Sequence, residues 1–363
     1  MTSLPDVRSH PSTLSARAAA DPLWRRTSAL VWRVLHPAAR EAFLESPSPR
    51  PAALVSWRSA DGWCGHLRRL PGVPGGPGEP VLLLHTLGLG PDAARYGRGP
   101  TLASALQQAG FTVYLASWRG DREVQAPPGA AAPGFDGVVD HDLPALVSAV
   151  LADAGFPRLM VVGHGFGGQA ALGWCARANP DALAALAVVS APVAFPGWSR
   201  AARRSLRLLG WVGGRRAVPL RRLRKLVGAV QAGGARRRGA LWFASEDVPV
   251  SLLAELEAWF EAGALVDRRG VLDYGAALSR CEAPLWVGVG AGDTWCPPER
   301  ALPLLDLWGG RVRTVEALPT AFGHLDVLLH PDAPDAVHAP LVRWLKRHRR
   351  AAWHRAVPAA PVS

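Results

Sequence analysis

The sequence predicts an α/β domain: a mostly parallel, eight-stranded sheet flanked by helices, with a helical cap inserted late in the sheet. Three observations lead there. Short apolar or alternating runs recur along the chain and are separated by segments with apolar residues at helical spacing, the order expected of a parallel sheet. The chain has 363 residues, 49% of them hydrophobic, enough to bury one large core. Its longest nearly uncharged apolar run, 182–195, falls short of the roughly 20 residues that span a bilayer, so a membrane bundle does not compete.

Each element follows from local pattern. Residues 53–58 and 63–70 flank Ala60-Asp61-Gly62 and read as a hairpin. Strands are expected at 81–85, 111–118, 158–162, 186–190, 285–289 and 312–317. Helices are expected at 101–109, ended by Gly110, at 141–154 with Pro144 in the first turn, and at 166–178, 298–308 and 333–346. Between 196 and 265 the pattern is helical. Leu220, Leu223, Leu226, Val227 and Val230 form one stripe, with Arg221, Arg222, Arg224 and Lys225 opposite. A second helix starts at Ser251, carries Leu252, Leu253, Leu256, Trp259 and Phe260, and ends at Gly263. The domains expected are an N-terminal arm (1–51), a first core part (52–195), a helical cap (196–265), a second core part (266–347) and a basic tail (348–363).

Composition narrows the function classes. Disorder and collagen are excluded by the apolar content. Cys64, Cys175, Cys281 and Cys296 are too sparse for a disulfide framework, and no pair has the CxxC spacing of a zinc or redox site. No metal and no cofactor is expected, and the thiols suit a reducing, cytoplasmic setting. Residues 1–24 lack the apolar core of a signal peptide. The net charge of +12 is local. Residues 198–240 contain 13 Lys and Arg and no acid, and without them and the basic tail the remainder is net negative. Such a block is either a solvated face, its arginines paired with Glu255, Glu257 and Glu261, or, beside Trp198 and Trp211, a peripheral dock for an anionic membrane or lipid granule. No nucleic-acid partner is expected, because the charge does not accompany a nucleic-acid-binding fold.

The most informative stretch runs Leu159-Met160-Val161-Val162-Gly163-His164-Gly165-Phe166-Gly167-Gly168, a buried strand entering a helix through glycines. Gly163, Gly165 and Gly168 fit the dinucleotide pattern GxGxxG, but no acid ends the next strand to hold a ribose. The competing pattern is the nucleophile elbow GxSxG, with Gly165 at the serine position. Other motifs stand in elbow order: His85-Thr86-Leu87-Gly88 after the third strand, Gly292-Asp293 after a later one, and Phe322-Gly323-His324-Leu325-Asp326 after the last.

On these motifs the chain resembles the α/β-hydrolase superfamily over about residues 54–346, in particular its acid-lipase and esterase branch and the related polyhydroxyalkanoate synthases. The resemblance implies that Asp293 is the triad acid, His324 the general base, and the amides of Leu87 and Phe166 the oxyanion donors, with His85, Thr86 and His164 lining the substrate space. It implies a small-molecule acyl ester or lipid as ligand. The chain departs from the pattern twice: Gly165 carries no nucleophile, and Thr86 replaces the glycine of the usual His-Gly pair. Three readings then stand open: an acyl-binding pseudo-hydrolase, an enzyme in which Asp293 and His324 activate water in the space left at Gly165, or a one-residue variant of an active serine esterase. On the last two, Gly165→Ser is expected to give a labelled, working elbow.

Overall fold

The computed structural model describes residues 53–74, 76, 78–96, 100–178, 180–196, 217–218 and 246–353. The N-terminal arm, most of the 196–265 insertion with its basic stripe, and the end of the tail lie outside the described residues. The sheet strands are β1 (Ala53–Arg58), β2 (Cys64–Leu70), β3 (Pro80–Leu84), β4 (Thr112–Leu115), β5 (Leu159–His164), β6 (Leu183–Val189), β9 (Leu285–Gly290) and β10 (Arg313–Leu318), with a two-residue ribbon of β7 (Ala217–Val218) and β8 (Val248–Pro249) apart from them. Their order is β1-β2-β4-β3-β5-β6-β9-β10. Within this sheet only the β1–β2 and β2–β4 pairings are antiparallel.

Every residue of β3, β5, β6 and β9 is buried, as expected of parallel strands covered on both faces. The edge strands β1 and β10 alternate or expose residues instead. Four long helices supply the cover: α1 (Leu102–Gln108), α2 (Leu143–Ala154), α3 (Phe166–Ala178) and α5 (Ala339–Trp353), while α4 (Val250–Ala262) comes from the insertion. Leu146, Val150, Ala170 and Trp174 of α2 and α3 pack in one core with Trp259 of α4. Leu102 and Leu106 of α1 pack with Leu341, Trp344 and Leu345 of α5 in the other.

Several expected boundaries shift for identifiable reasons. The single helix 298–308 is two, Pro298–Ala301 and Pro303–Leu307, because Pro303 has no N–H to continue the ladder. The helix expected from 141 is preceded by a short helical turn, Phe135–Gly137, and a wide π-type turn, Val138–Asp142, and the one expected from 333 opens through a wide π-type turn, Pro334–His338. α5 runs on to Trp353, so the start of the expected tail is helix. There Arg349 lies over the Phe111 ring at 4.1 Å and pairs with Glu79 at 3.3 Å.

The helix expected from Ser251 is present as α4, and Gly263 ends it at φ +71°. Glu255, however, is not on a solvated face. It is buried and its carboxylate accepts the Phe135 N–H at 2.5 Å. Burial, helped by the nearby Asp136 charge, pushes its pKa up to about 7 against the lowering effects of the Phe135 N–H and the Arg268 charge.

The chain leaves β3 toward β4 on one side and returns over β3 to β5 on the other. Ligand crevices in α/β sheets form outside the carboxyl ends of strands at such a reversal. The loops after β3 and β5 carry Thr86 and Gly165.

Candidate active site

The β3–β5 register places Leu84 beside Gly163, so the residues two steps beyond each strand, Thr86 and Gly165, emerge side by side. Gly165 has φ +53°, a left-handed conformation that strains any residue with a Cβ. Its N–H donates to Val189 O at 2.9 Å and its carbonyl accepts Gln169 N–H at 3.0 Å, which starts α3. Gly163 and Gly168 have no positive φ; a Cβ on Gly163 would lie 2.5 Å from Gly168 Cα. Close strand-to-helix packing accounts for them without a pyrophosphate.

The acid and the histidine arrive from β9 and β10. The Asp293 loop touches the His324 loop through Gly292, where a Cβ would meet the carbonyl oxygens of Thr320 and Phe322. His324 Nδ1 lies 2.9 Å from Asp293 Oδ2. Asp293 Oδ1 also accepts the N–H groups of Trp295 (2.9 Å) and Cys296 (3.0 Å). Burial pushes the Asp293 pKa up, but the hydrogen bond and charge of His324, the Cys296 N–H and the Ser190 hydroxyl outweigh it and hold the carboxyl at about 2. A carboxylate can only accept, so Nδ1 of His324 carries its proton and Nε2 of the neutral ring keeps a lone pair. The ring is part-exposed, with 12% of the side chain accessible.

That lone pair faces Thr86. Thr86 Oγ1 lies 3.2 Å from His324 Nε2, and with this tautomer the hydroxyl is the donor. A Cβ built on Gly165 would overlap Thr86 Oγ1 outright, and would lie 2.9 Å from Thr86 Cβ and 2.8 Å from His324 Nε2. The space beside the glycine is therefore filled. Two expectations are affected: the place a side chain at 165 would take is held by Thr86 Oγ1 and is not left open for a water, and Gly165→Ser alone meets a steric obstacle.

Thr86 is held from behind. His85 Nδ1 donates to Thr86 O at 3.0 Å, and His85 Nε2 bonds Asp121 Oδ2 at 3.0 Å. The imidazole stacks on Trp118 with ring centroids 3.8 Å apart, and Asp121 also accepts Trp118 N–H at 3.0 Å. The following turn closes by Leu89 N–H to Thr86 O at 3.2 Å, with Gly88 at φ +80°, and it carries the Leu87 amide. The Phe166 N–H is the first of α3 and has no acceptor within the helix.

His164 Nε2 donates to the His324 carbonyl at 2.9 Å, placing its ring behind the histidine loop; burial, then the neighbouring His324, lowers its pKa to about 3. His85 and His164 thus support the loops of the site. Asp326 accepts Gly323 N–H at 2.9 Å in the same loop. Cys296 is fully buried, and burial raises its thiol pKa. Among the described residues no group of His, Cys, Asp or Glu could hold a metal ion.

Two contributors escape pattern reading. Ser190, at the end of β6, has φ +54° and is buried beside Asp293. A positive φ in a serine is uncommon and clusters at functional sites, but one sequence carries no sign of it. Asp121 lies 36 residues from His85 in a loop with no motif.

A family model for the alpha/beta hydrolase fold matches residues 79–227. Solved structures agree across the chain. An esterase from Thermogutta terrifontis aligns with TM-score 0.56 and 20% identity over 82% of this chain and 99% of its own. A monoacylglycerol lipase from Paleococcus ferrophilus gives 0.51 and 18% over 78% and 99%. A structure from work on carboxylesterases of Nitrososphaera gargenis gives 0.58 and 14% over 81% and 99%. No curated protein matches the sequence. The chain has the α/β-hydrolase fold, with esterases and lipases among its structural neighbours. No helix among the described residues is long and apolar enough to cross a membrane.

Proposed function

We propose that this is a lipase/esterase-type protein that binds an acyl ester or lipid at the loops after β3 and β5, and that forms no acyl-enzyme at the elbow. The observation that carries the reading is the Asp293–His324 pair at 2.9 Å, directed at an elbow whose nucleophile position is Gly165. A histidine held in one tautomer by a buried carboxylate is the general-base half of an acyl-transfer site. Loss of the attacking group from such a site costs about six orders of magnitude in turnover, so the elbow itself contributes binding and not attack. The structural likeness to an esterase and a monoacylglycerol lipase supports an acyl ligand. The basic segment 198–238 belongs to the same reading as a peripheral dock for anionic lipid surfaces, which would bring acyl chains to the site.

The test is calorimetric titration of the full chain with straight-chain carboxylates from four to sixteen carbons. Saturable binding at one site is expected, tightening with chain length. Absence of binding at every length would overturn the reading.

A further inference from the structure

Gly165 carries no hydroxyl, and one stands across the site within reach of His324. We propose that Thr86 Oγ1 is the nucleophile of this site; the proposal deepens the acyl-site reading and rests on it. Four observations carry it. Thr86 Oγ1 is 3.2 Å from His324 Nε2, and the Asp293 contact forces the tautomer in which Nε2 accepts. The place where a side chain at 165 would project is occupied by Thr86 Oγ1 itself. Thr86 has no positive φ, so the hydroxyl is presented without the strain of an elbow. His85 fixes its carbonyl at 3.0 Å and is itself fixed by Asp121 and Trp118. A filler needs only shape; this hydroxyl is hydrogen-bonded to a base that a buried carboxylate orients, the arrangement that activates a nucleophile.

The reaction balances within the site. Thr86 Oγ1 attacks the acyl carbonyl carbon while its proton passes to His324 Nε2. The tetrahedral oxyanion forms near the start of α3, where the Phe166 N–H and the positive end of the helix favour negative charge. Its collapse breaks the carbonyl carbon–alkoxy bond, and His324 returns the proton to the departing alcohol. Water then attacks the Thr86 ester, His324 takes the water proton, and the carboxylic acid leaves as Oγ1 recovers its hydrogen. Asp293 stays ionised throughout and stabilises the transient imidazolium.

The experiment is fluorophosphonate labelling of the full chain with the adduct mapped by mass spectrometry, alongside p-nitrophenyl butyrate hydrolysis and the carboxylate titration on the same preparation. The expected result is one adduct per chain on Thr86, retained in Thr86→Ser and lost in the near-isosteric Thr86→Val. Hydrolysis in Thr86→Val should fall by about 10³-fold or more, by more than any weakening of its carboxylate binding. In Thr86→Gly/Gly165→Ser the adduct should move to position 165. Absence of an adduct on Thr86 in the native chain, or equal labelling of Thr86→Val, overturns the proposal. The titration then separates the two failures: intact binding leaves the acyl site standing, and absent binding removes it as well. Because the adduct is mapped on the native chain, the result does not depend on any variant folding.

Discussion

Placing a side chain at Gly165 should destabilise this protein unless Thr86 is reduced at the same time. The perturbation is Gly165→Ser. Two separate costs apply. A residue with a Cβ held at φ +53° sits in a sparsely populated region, at about 1–3 kcal/mol. The new Cβ also has to displace Thr86, whose own Cβ would be 2.9 Å away with Oγ1 closer still, and His324 Nε2 at 2.8 Å; overpacking of this kind costs about 1–3 kcal/mol. The single change should therefore cost about 2–6 kcal/mol. In a Thr86→Gly background the Thr86 part of the overpacking is removed while the backbone part and the His324 contact remain, so the two changes should couple by up to about 1–3 kcal/mol. The assay is urea unfolding of the native chain, both single variants and the double variant, at one pH and with comparable m values. Additive effects, within about 0.5 kcal/mol, would show that Thr86 does not fill the space beside Gly165, and the account of why the elbow has no serine would fall with it.

Three further outcomes are expected. Glu255, with its pKa raised to about 7 from 4.5, binds more protons folded than unfolded between those values, so stability should fall as pH rises from 4.5 to 7, by on the order of 3 kcal/mol; Glu255→Gln should flatten that dependence in thermal melts, and an unchanged slope would remove the burial explanation. Asp293→Asn should leave the fold intact but release the tautomer of His324, lowering any esterase activity by about 10⁴-fold in an initial-rate assay; activity within tenfold of native would show that Asp293 does not orient the base. The 198–238 segment should carry the chain down with anionic but not neutral liposomes, and 1 M salt, where the Debye length is about 3 Å, should release it; Arg221, Arg222, Arg224 and Lys225 changed to Gln should abolish sedimentation, and equal sedimentation of the two proteins would assign the basic face to solvent.

The fold class was legible because its determinants are local. Continuous apolar runs such as those that became β5 and β6 can bury both faces only in a covered parallel sheet, and Gly263 closes α4 with the left-handed cap its sequence position suggests. The placement of Gly165, Asp293 and His324 beyond strand ends was legible for the same reason, since each motif is a strand end followed by a short loop. Element ends were less so: Pro303 divides one helical pattern into two, and wide turns precede α2 and α5. Glu255 carries the charge of a surface residue, yet packing of α4 against Phe135 buries it.

What only the tertiary structure decided is the relation between Thr86 and Gly165. By sequence each was a separate departure from a motif, one lacking a hydroxyl and the other adding one. The two residues meet because β3 and β5, whose intervening strand β4 lies on the far side of β3, pair in a register that sets Leu84 against Gly163. His324 reaches both from a position 238 residues beyond Thr86, carried there by the loop after β10. Strand register and loop closure are properties of the assembled sheet, and no local pattern encodes the few ångströms between a hydroxyl, a lone pair and a missing Cβ.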